Sequence, residues 1–169
     1  TVRESAAAFA AGMPVDAAFS HVSAAQLLAL PLPSRLESQT LLDVMRPTSM
    51  AQVRRDGCRG HRGLERREVV DVDGLRVVGL ADTWVDLGEL PASEIGVDEL
   101  VIVGDSIDNR LAPGGHAALQ AALDARRRPR GKTRLSEALS LVRVGSRSPM
   151  ETRARLMFHR AGFPEPALN

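Results

Sequence analysis

The chain has 169 residues, which suggests one domain with a buried core and room for an appendage. Its 44% apolar content is typical of a globular protein, and no run of about 18 apolar residues predicts a membrane span. The single cysteine, Cys58, excludes an intramolecular disulfide and a zinc cage of thiolates, and it favours a reducing cytoplasm. A net charge of +1 argues against a dedicated nucleic-acid coat protein.

Local patterns predict a small sheet in the first half of the chain. A helix over 3–11 ends at glycine and proline, and a second helix over 21–30 begins with Ser20 as its cap. Asp73-Gly74 between two β-branched runs is a strong hairpin signal. The predicted strands cover residues 40–45, 58–62, 68–72 and 75–78.

The second half is predicted to be helical. Residues 99–111 are ambiguous because Val-Ile-Val favours a strand, but the spacing of Leu100, Val103, Ile107 and Leu111 favours a helix. Trp84 is expected in the core. The predicted helices cover residues 81–90, 99–111, 116–127 and 133–142. The fold class is therefore α+β: a small antiparallel or mixed sheet in the first half packed by helices, and a helical second half.

A last helix is predicted near the end of the chain. Ser148 is a suitable cap, Pro149 fits the first turn and Glu151 completes a capping box. Gly162 is suited to end the helix, and Pro164 keeps it ended. One face carries the apolar residues Met150, Ala154, Met157, Phe158 and Ala161. We expect this face to pack on a surface that can lie outside this chain.

The same terminal segment carries a motif. It follows Ser-Pro-x-Glu-x-x-x-Arg, an apolar helix, Ala-Gly-x-Pro-x-Pro and a final Asn, at Ser148, Pro149, Glu151, Arg155, Ala161, Gly162, Pro164, Pro166 and Asn169. The segment resembles the opening of the very-short-patch-repair (Vsr)-like endonuclease domain found at the C-terminus of many actinobacterial proteins. This resemblance implies a parent that is a Mg²⁺-dependent DNA endonuclease of the PD-(D/E)XK type, with Glu151 in its active-site region.

The remainder resembles the C-terminal part of AbiEi-type antitoxins, the domain that precedes the nuclease in those proteins. Three segments carry the likeness: Ser20 to Leu28, Arg59-Gly60-His61-Arg62, and Val77 to Leu87. The last departs from the family pattern at Gly79, Leu80 and Asp82, where Ser, Pro and Arg are usual. The resemblance implies an antitoxin-like α+β domain over 1–143, followed over 144–169 by a linker and the first helix of a truncated nuclease-like domain.

Glu151 has both a structural and a catalytic interpretation. As part of a helix cap it stabilises the helix by about 0.5–2 kcal/mol. As a nuclease residue it needs further carboxylates to hold Mg²⁺, and only Glu165 follows it in this chain. The only lysine, Lys132, precedes the helix, whereas many related nucleases use a lysine on the catalytic strand. We therefore expect no metal or cofactor in this chain, and Mg²⁺ only in a complete parent nuclease.

Charge is strongly segregated along the chain. Residues 81–109 carry eight acidic side chains and no basic one, 126–134 carry six basic side chains and no acidic one, and 46–67 is also basic. This pattern predicts either a partner surface or an internal docking contact. The candidate DNA-binding residues are Arg126, Arg127, Arg128, Arg130, Lys132 and Arg134. Arginine matches phosphate oxygens, but such a run also suits a helix C-terminus or a solvated face.

The histidines are scattered, and no pair has the spacing of a helical metal site. His21 and His61 lie in segments of family resemblance, and a hydrogen bond from one of them to buried backbone would explain that without catalysis. Cys58 is flanked by Arg59 and lies near Arg55, which can lower a thiol pKa. We expect it instead to be an unreactive, half-buried strand residue.

These observations favour a non-catalytic interaction or regulatory domain of a toxin–antitoxin or restriction-like protein. The expected partner is a protein or a nuclease domain, with DNA as a further candidate and no membrane. The alternatives are a fragment of a metal-dependent DNA endonuclease and a DNA-binding module. We expect the chain by itself not to be an enzyme.

Overall fold

The structure, a computed structural model, describes residues 1–146 and 148–163 and confirms the α+β class. Its strands are β1 Ala18–Phe19, β2 Leu42–Arg46, β3 Cys58–Arg62, β4 Val69–Val72 and β5 Leu75–Val78. Its α-helices are α1 Val2–Ala10, α2 His21–Leu27, α3 Ser34–Glu37, α4 Leu80–Gly88, α5 Val97–Arg110, α6 Gly115–Asp124, α7 Lys132–Leu141 and α8 Pro149–Arg160. In the described part of the chain, no helix is both long and apolar enough to cross a membrane.

The strands form one mixed sheet in the order β3-β2-β1-β5-β4. The central strand β1 pairs antiparallel with β2 and parallel with β5, while β2 and β3 are parallel. Strand β1 shows no signal in the sequence, because two residues are too few to form a periodic pattern. The predicted hairpin joins β4 and β5. Asp73 and Gly74 both have positive φ, 54° and 81°, as a type I′ turn requires.

Helix α2 connects two apolar clusters. Ala24 and Leu27 pack among the residues under the sheet, whereas Val22 and Ala25 pack against the helical half. The predicted helix boundary at residue 30 is wrong: α2 ends at Leu27, and Ala29 has a φ of 51° that a helix does not allow. The exposed carbonyls of residues 28 and 29 accept hydrogen bonds from the Arg110 guanidinium at 2.7 and 2.6 Å.

The helical half packs around Trp84, whose side chain is fully buried as predicted. Its indole N–H donates to the carbonyl of Leu100 at 2.8 Å, which ties α4 to α5. The ambiguous stretch around residues 99–111 is helical, in agreement with the spacing argument. Leu100, Val103 and Ile107 all lie in the same apolar cluster as Trp84, as their spacing predicted. The fourth residue of that spacing, Leu111, follows the end of α5 and is 37% exposed.

Helix α8 packs against α5, but not through the predicted face. Its buried residues are Thr152, Arg155 and Leu156. The predicted packing face is instead exposed, with Met150 and Met157 at 67% and 60% accessibility. The reason is an acceptor for Arg155 on α5, described below. The Ser148 hydroxyl accepts from the backbone of Glu151 at 3.2 Å, which confirms the predicted cap. Gly162 has φ 74° just beyond the helix end, whereas residues 164–169, with Pro164, Glu165, Pro166 and Asn169, lie outside the described residues.

Candidate functional site

A buried carboxylate organises one face of the sheet. Asp43 on β2 has no solvent exposure and is aligned with Arg59 on the parallel strand β3, so its side chain shares a face with Arg59 and His61. His61 Nε2 lies 2.8 Å from Asp43 Oδ1, and Arg59 Nη1 lies 3.7 Å from the same oxygen. The amide of Gln39 donates to Oδ2 at 2.9 Å. The Asp43 carboxylate is therefore paired with two side chains of β3 and with Gln39, which precedes β2.

A second imidazole covers the first. The rings of His21 and His61 stack with centroids 3.8 Å apart and planes inclined by 21°. His21 is the first residue of α2 and has a φ of 48°, a conformation that side chains seldom adopt. Its Nδ1 lies 3.0 Å from the hydroxyl of Ser20. The predicted cap is therefore wrong in one respect: the Ser20 side chain makes no capping hydrogen bond to the backbone of α2. The Ser23 hydroxyl accepts from the backbone N–H of Asp43 at 2.8 Å, which fixes α2 on β2.

The surroundings keep His21 uncharged near neutral pH. Burial lowers the pKa of His21 well below 6.5, and the charges of His61, Arg67 and Arg59 act in the same direction. Asp43 opposes them and raises that pKa, but its effect is smaller. A neutral ring stacked on an aspartate-bound ring stabilises the junction of α2 with the sheet. Protonation of His21 would place a buried cation beside basic groups.

The sequence predicted structural roles for His21 and His61, with backbone as the partner of one of them. The structure instead joins them to each other and to Asp43, a residue that the sequence analysis did not single out. Two of the three segments of family resemblance thus meet at one site. The site could have been found from the register of β2 and β3, which pairs residues 16 positions apart. That register cannot be read from a short stretch of sequence. An aspartate-oriented imidazole is also the arrangement of many general bases.

The segregated charges meet inside the molecule. Asp86 on α4 accepts from the Arg67 guanidinium at 3.0 Å through Nε and 2.6 Å through Nη2. Arg126 follows α6 and lies 2.9 Å from Asp82 and 3.3 Å from Asp86. Burial raises the pKa of Asp82, against hydrogen bonding from the Glu68 backbone and the charge of Arg126. For these residues, the internal docking contact is the correct one of the two predicted alternatives.

The predicted DNA-binding run is divided by these contacts. Arg126 is buried, and Arg134 donates to the carbonyls of Gly88 and Leu90 at the end of α4. Both therefore hold the helical half together. The four remaining basic residues are exposed: Arg127, Arg128, Arg130 and Lys132. DNA binding by this run stays a prediction, and it rests on those four.

A third buried carboxylate anchors α8. Asp105 on α5 accepts from the Arg155 guanidinium at 2.9 Å, the Thr152 hydroxyl at 2.8 Å and the backbone N–H of Arg143 at 2.8 Å. Burial raises the pKa of Asp105, and these three hydrogen bonds act in the opposite direction. The segment before α8 is fixed as well, because Asn109 bonds the backbone of residues 145 and 146. A cavity of about 960 Å³ lies beside this anchor, between α5, residues 29–31 and the start of α8.

Two further candidate residues lie outside these clusters of charged groups: Glu151 on α8 and Cys58 on β3. Glu151 is exposed in the first turn of α8, and its catalytic role stays a prediction because Glu165 lies outside the described residues. Among the residues that the structure describes, no three His, Cys, Asp or Glu side chains are grouped to hold a metal ion. Burial raises the pKa of the Cys58 thiol, and the charge of Asp43 raises it further. This direction is that of an unreactive thiol, as the sequence analysis expected.

Comparison with known proteins adds no relative: no family model, no curated protein and no solved structure matches this chain. The geometry of the described residues therefore carries the functional interpretation.

Proposed function

We propose that this chain is a non-catalytic interaction domain that holds α8 in a fixed orientation and presents its apolar face to a protein partner. The observation that carries the proposal is the orientation of α8. Its buried side contains the charged residue Arg155 and the hydroxyl of Thr152, while Met157 and Phe158 point outward with 60% and 40% of their surface accessible. Such an orientation is opposite to that of an ordinary amphipathic surface helix.

The exposed face is large enough to contribute to binding. Met150, Met157, Phe158 and Phe163 are all more than one-third accessible, and the two phenylalanine rings contact each other edge to face at 6.0 Å. Burial of one such side chain stabilises a complex by about 1.5–3 kcal/mol before the cost of association. Isolated exposed apolar residues need no explanation, but several on one helix and its end indicate an interaction surface. Methionine side chains also adapt easily to a partner.

The anchor explains why the orientation is fixed. Arg155 and Asp105 are each about 2% exposed, so both charges are removed from water when α8 docks. Rotation of α8 about its axis would turn Arg155 toward solvent and leave Asp105 on α5 buried without its cation, which costs several kcal/mol. The buried pair therefore selects one rotation of the helix. The occupant that we propose for its outer face is the nuclease domain implied by the family resemblance.

The endonuclease alternative rests on Glu151, and the DNA-binding alternative rests on the exposed basic residues after α6. The interaction domain is favoured over the endonuclease because Asp82, Asp86 and Asp105 are engaged with arginines. A carboxylate that is already paired is a poor ligand for Mg²⁺, which prefers unpaired, hard oxygen donors.

Two experiments test the proposal. The first incubates the purified chain with plasmid DNA and Mg²⁺ or Mn²⁺, and we expect the plasmid to remain intact. Cleavage that disappears in the Glu151→Ala variant would overturn the non-catalytic interpretation in favour of the endonuclease.

The second experiment maps the partner of α8 in the protein expressed from its complete gene. A photoreactive phenylalanine analogue replaces Met157, and in a matched control it replaces Val15, which is 90% exposed. We expect cross-links from position 157 to the nuclease domain and none from position 15. Equal cross-linking from both positions, or none from position 157, would contradict a partner on the apolar face of α8.

A further inference from the structure

The second face of β3 is separate from the histidine pair. Since side chains alternate along a strand, Arg59 and His61 face Asp43, whereas Gly60 and Arg62 face the opposite side. On that side the chain between β2 and β3 crosses over the strand. A Cβ at Gly60 would lie 2.3 Å from the carbonyl oxygen of Val53 and 3.2 Å from the Cβ of Gln52. Only glycine therefore lets this loop lie directly on β3.

The loop is held on both sides of the crossing. Before it, Arg46 donates to the Ala51 carbonyl at 3.1 Å and is itself fixed by Asp16. The backbone and hydroxyl of Thr48 bond the carboxylate of Glu65 at 2.9 and 2.6 Å. After the crossing, the Arg55 guanidinium lies 4.7 Å above the ring of Phe9. The residues between these anchors are therefore positioned before any ligand binds.

The crossing forms a concavity of about 440 Å³ lined by Ala51, Gln52, Arg54 and Arg62. Both arginines are exposed, and among the described residues neither guanidinium has a carboxylate partner. By contrast, Arg46 and Arg67 in the same basic segment are paired with Asp16 and Asp86. The acidic residue nearest along the loop is Asp56, which is exposed. The concavity thus combines two available guanidinium groups with one amide.

We infer that this concavity binds a phosphate group of the duplex DNA backbone. Guanidinium groups donate paired N–H bonds that match phosphate oxygens, and the Gln52 amide is a further donor. A loop that is already fixed loses little entropy when it binds. No aromatic residue is among those lining the concavity, so base stacking of a single strand is not available and backbone contact is the mode that fits. This site is distinct from the basic run that follows α6.

The test compares two pairs of arginines that remove the same charge. Binding of a fluorescent 20-base-pair duplex is followed by anisotropy from about 50 to 200 mM salt for the unmodified chain, for Arg54→Gln/Arg62→Gln and for a control pair, Arg35→Gln/Arg153→Gln. Both control arginines are exposed and lie outside the two basic segments, 46–67 and 126–134. We expect the first pair to weaken binding about tenfold or more and to lower the salt dependence, d log K/d log[salt], by about two units. The second pair should weaken binding less than about threefold, because long-range attraction alone is reduced.

A second measurement does not depend on a variant. In the unmodified chain, the amide resonances of Gln52 and Gly60 should shift when duplex is added, while equimolar inorganic phosphate leaves them unchanged. Equal weakening by both arginine pairs would indicate non-specific attraction and overturn the inference. Shifts with inorganic phosphate but not with duplex would overturn it as well, in favour of a free-phosphate site. Neither result bears on the apolar face of α8, so this inference and the proposed function fail separately.

Discussion

Replacement of Arg155 by methionine tests whether the buried ion pair anchors α8. The variant keeps an unbranched apolar side chain in place of the arginine stem and leaves Asp105 buried without its cation. Loss of one partner of a buried pair costs about 3–5 kcal/mol. Asp105 retains the Thr152 hydroxyl and the Arg143 N–H, so we expect the lower end, about 3 kcal/mol. For a chain of this size that corresponds to a fall in melting temperature of about 6–12 °C.

The effect should also depend on pH with a defined sign. Burial already raises the pKa of Asp105, and removal of Arg155 raises it further. In the window between the unfolded and folded pKa values, the folded variant binds more protons than the unfolded chain, so its stability falls as pH rises. The deficit relative to the unmodified chain should therefore be smaller near pH 4 than at pH 8.

Urea unfolding at both pH values measures these differences, and Arg153→Met is the matched control on the exposed side of α8. The control should change stability by no more than about 0.5 kcal/mol. An Arg155→Met variant as stable as the control would refute the anchoring role. A variant that melts normally while only the amides of α8 exchange faster would instead contradict the expected loss of global stability, because α8 would then open separately from the cooperative core.

Two further changes test the sheet. The unmodified chain should lose stability as pH falls below 6.5, because His21 then takes up a proton in the unfolded chain but resists protonation in the folded one. In His21→Asn, whose asparagine tolerates the positive φ, the free energy of unfolding in urea should vary less between pH 5 and 8. An unchanged pH dependence in this variant would contradict a neutral His21. Gly60→Ala should lower stability by about 1–3 kcal/mol, since its Cβ meets the Val53 backbone. The control is Gly12→Ala, whose Cβ meets only the guanidinium end of Arg55, and it should melt close to the unmodified chain. Equal losses of stability in Gly60→Ala and Gly12→Ala would argue against a close contact between Gly60 and the loop that crosses β3.

Patterns confined to neighbouring residues predicted this fold well. Asp73-Gly74 fixed a hairpin because two positive φ angles suit few other residues. Ser148 and Gly162 delimited α8 because capping depends on the first and last turns alone. The 3–4 spacing of apolar residues identified α5 as a helix despite its β-branched stretch. Strand β1, Ala18–Phe19, was not predicted, because it is a strand only through its pairing with β2 and β5.

The candidate sites depend on pairs of residues that lie far apart in the sequence. His21 and His61 are 40 positions apart, and only the position of α2 on the sheet stacks their rings. The sequence indicated that Arg126 is part of an exposed basic run, whereas in the structure it pairs with Asp82 and Asp86 on α4. No property of a short window distinguishes an arginine that meets an acid from one that remains in solvent.

The sequence alone therefore determined the class of the fold, most element types and the kinds of charged group available. The tertiary structure decided which face of α8 is buried, because the Arg155 guanidinium donates to Asp105 on another helix. An apolar stripe predicts the buried face of a helix only when no charged residue on another face must pair with a buried counter-ion. Here a cation removed from water requires its counter-ion, and that requirement turns the apolar side chains outward.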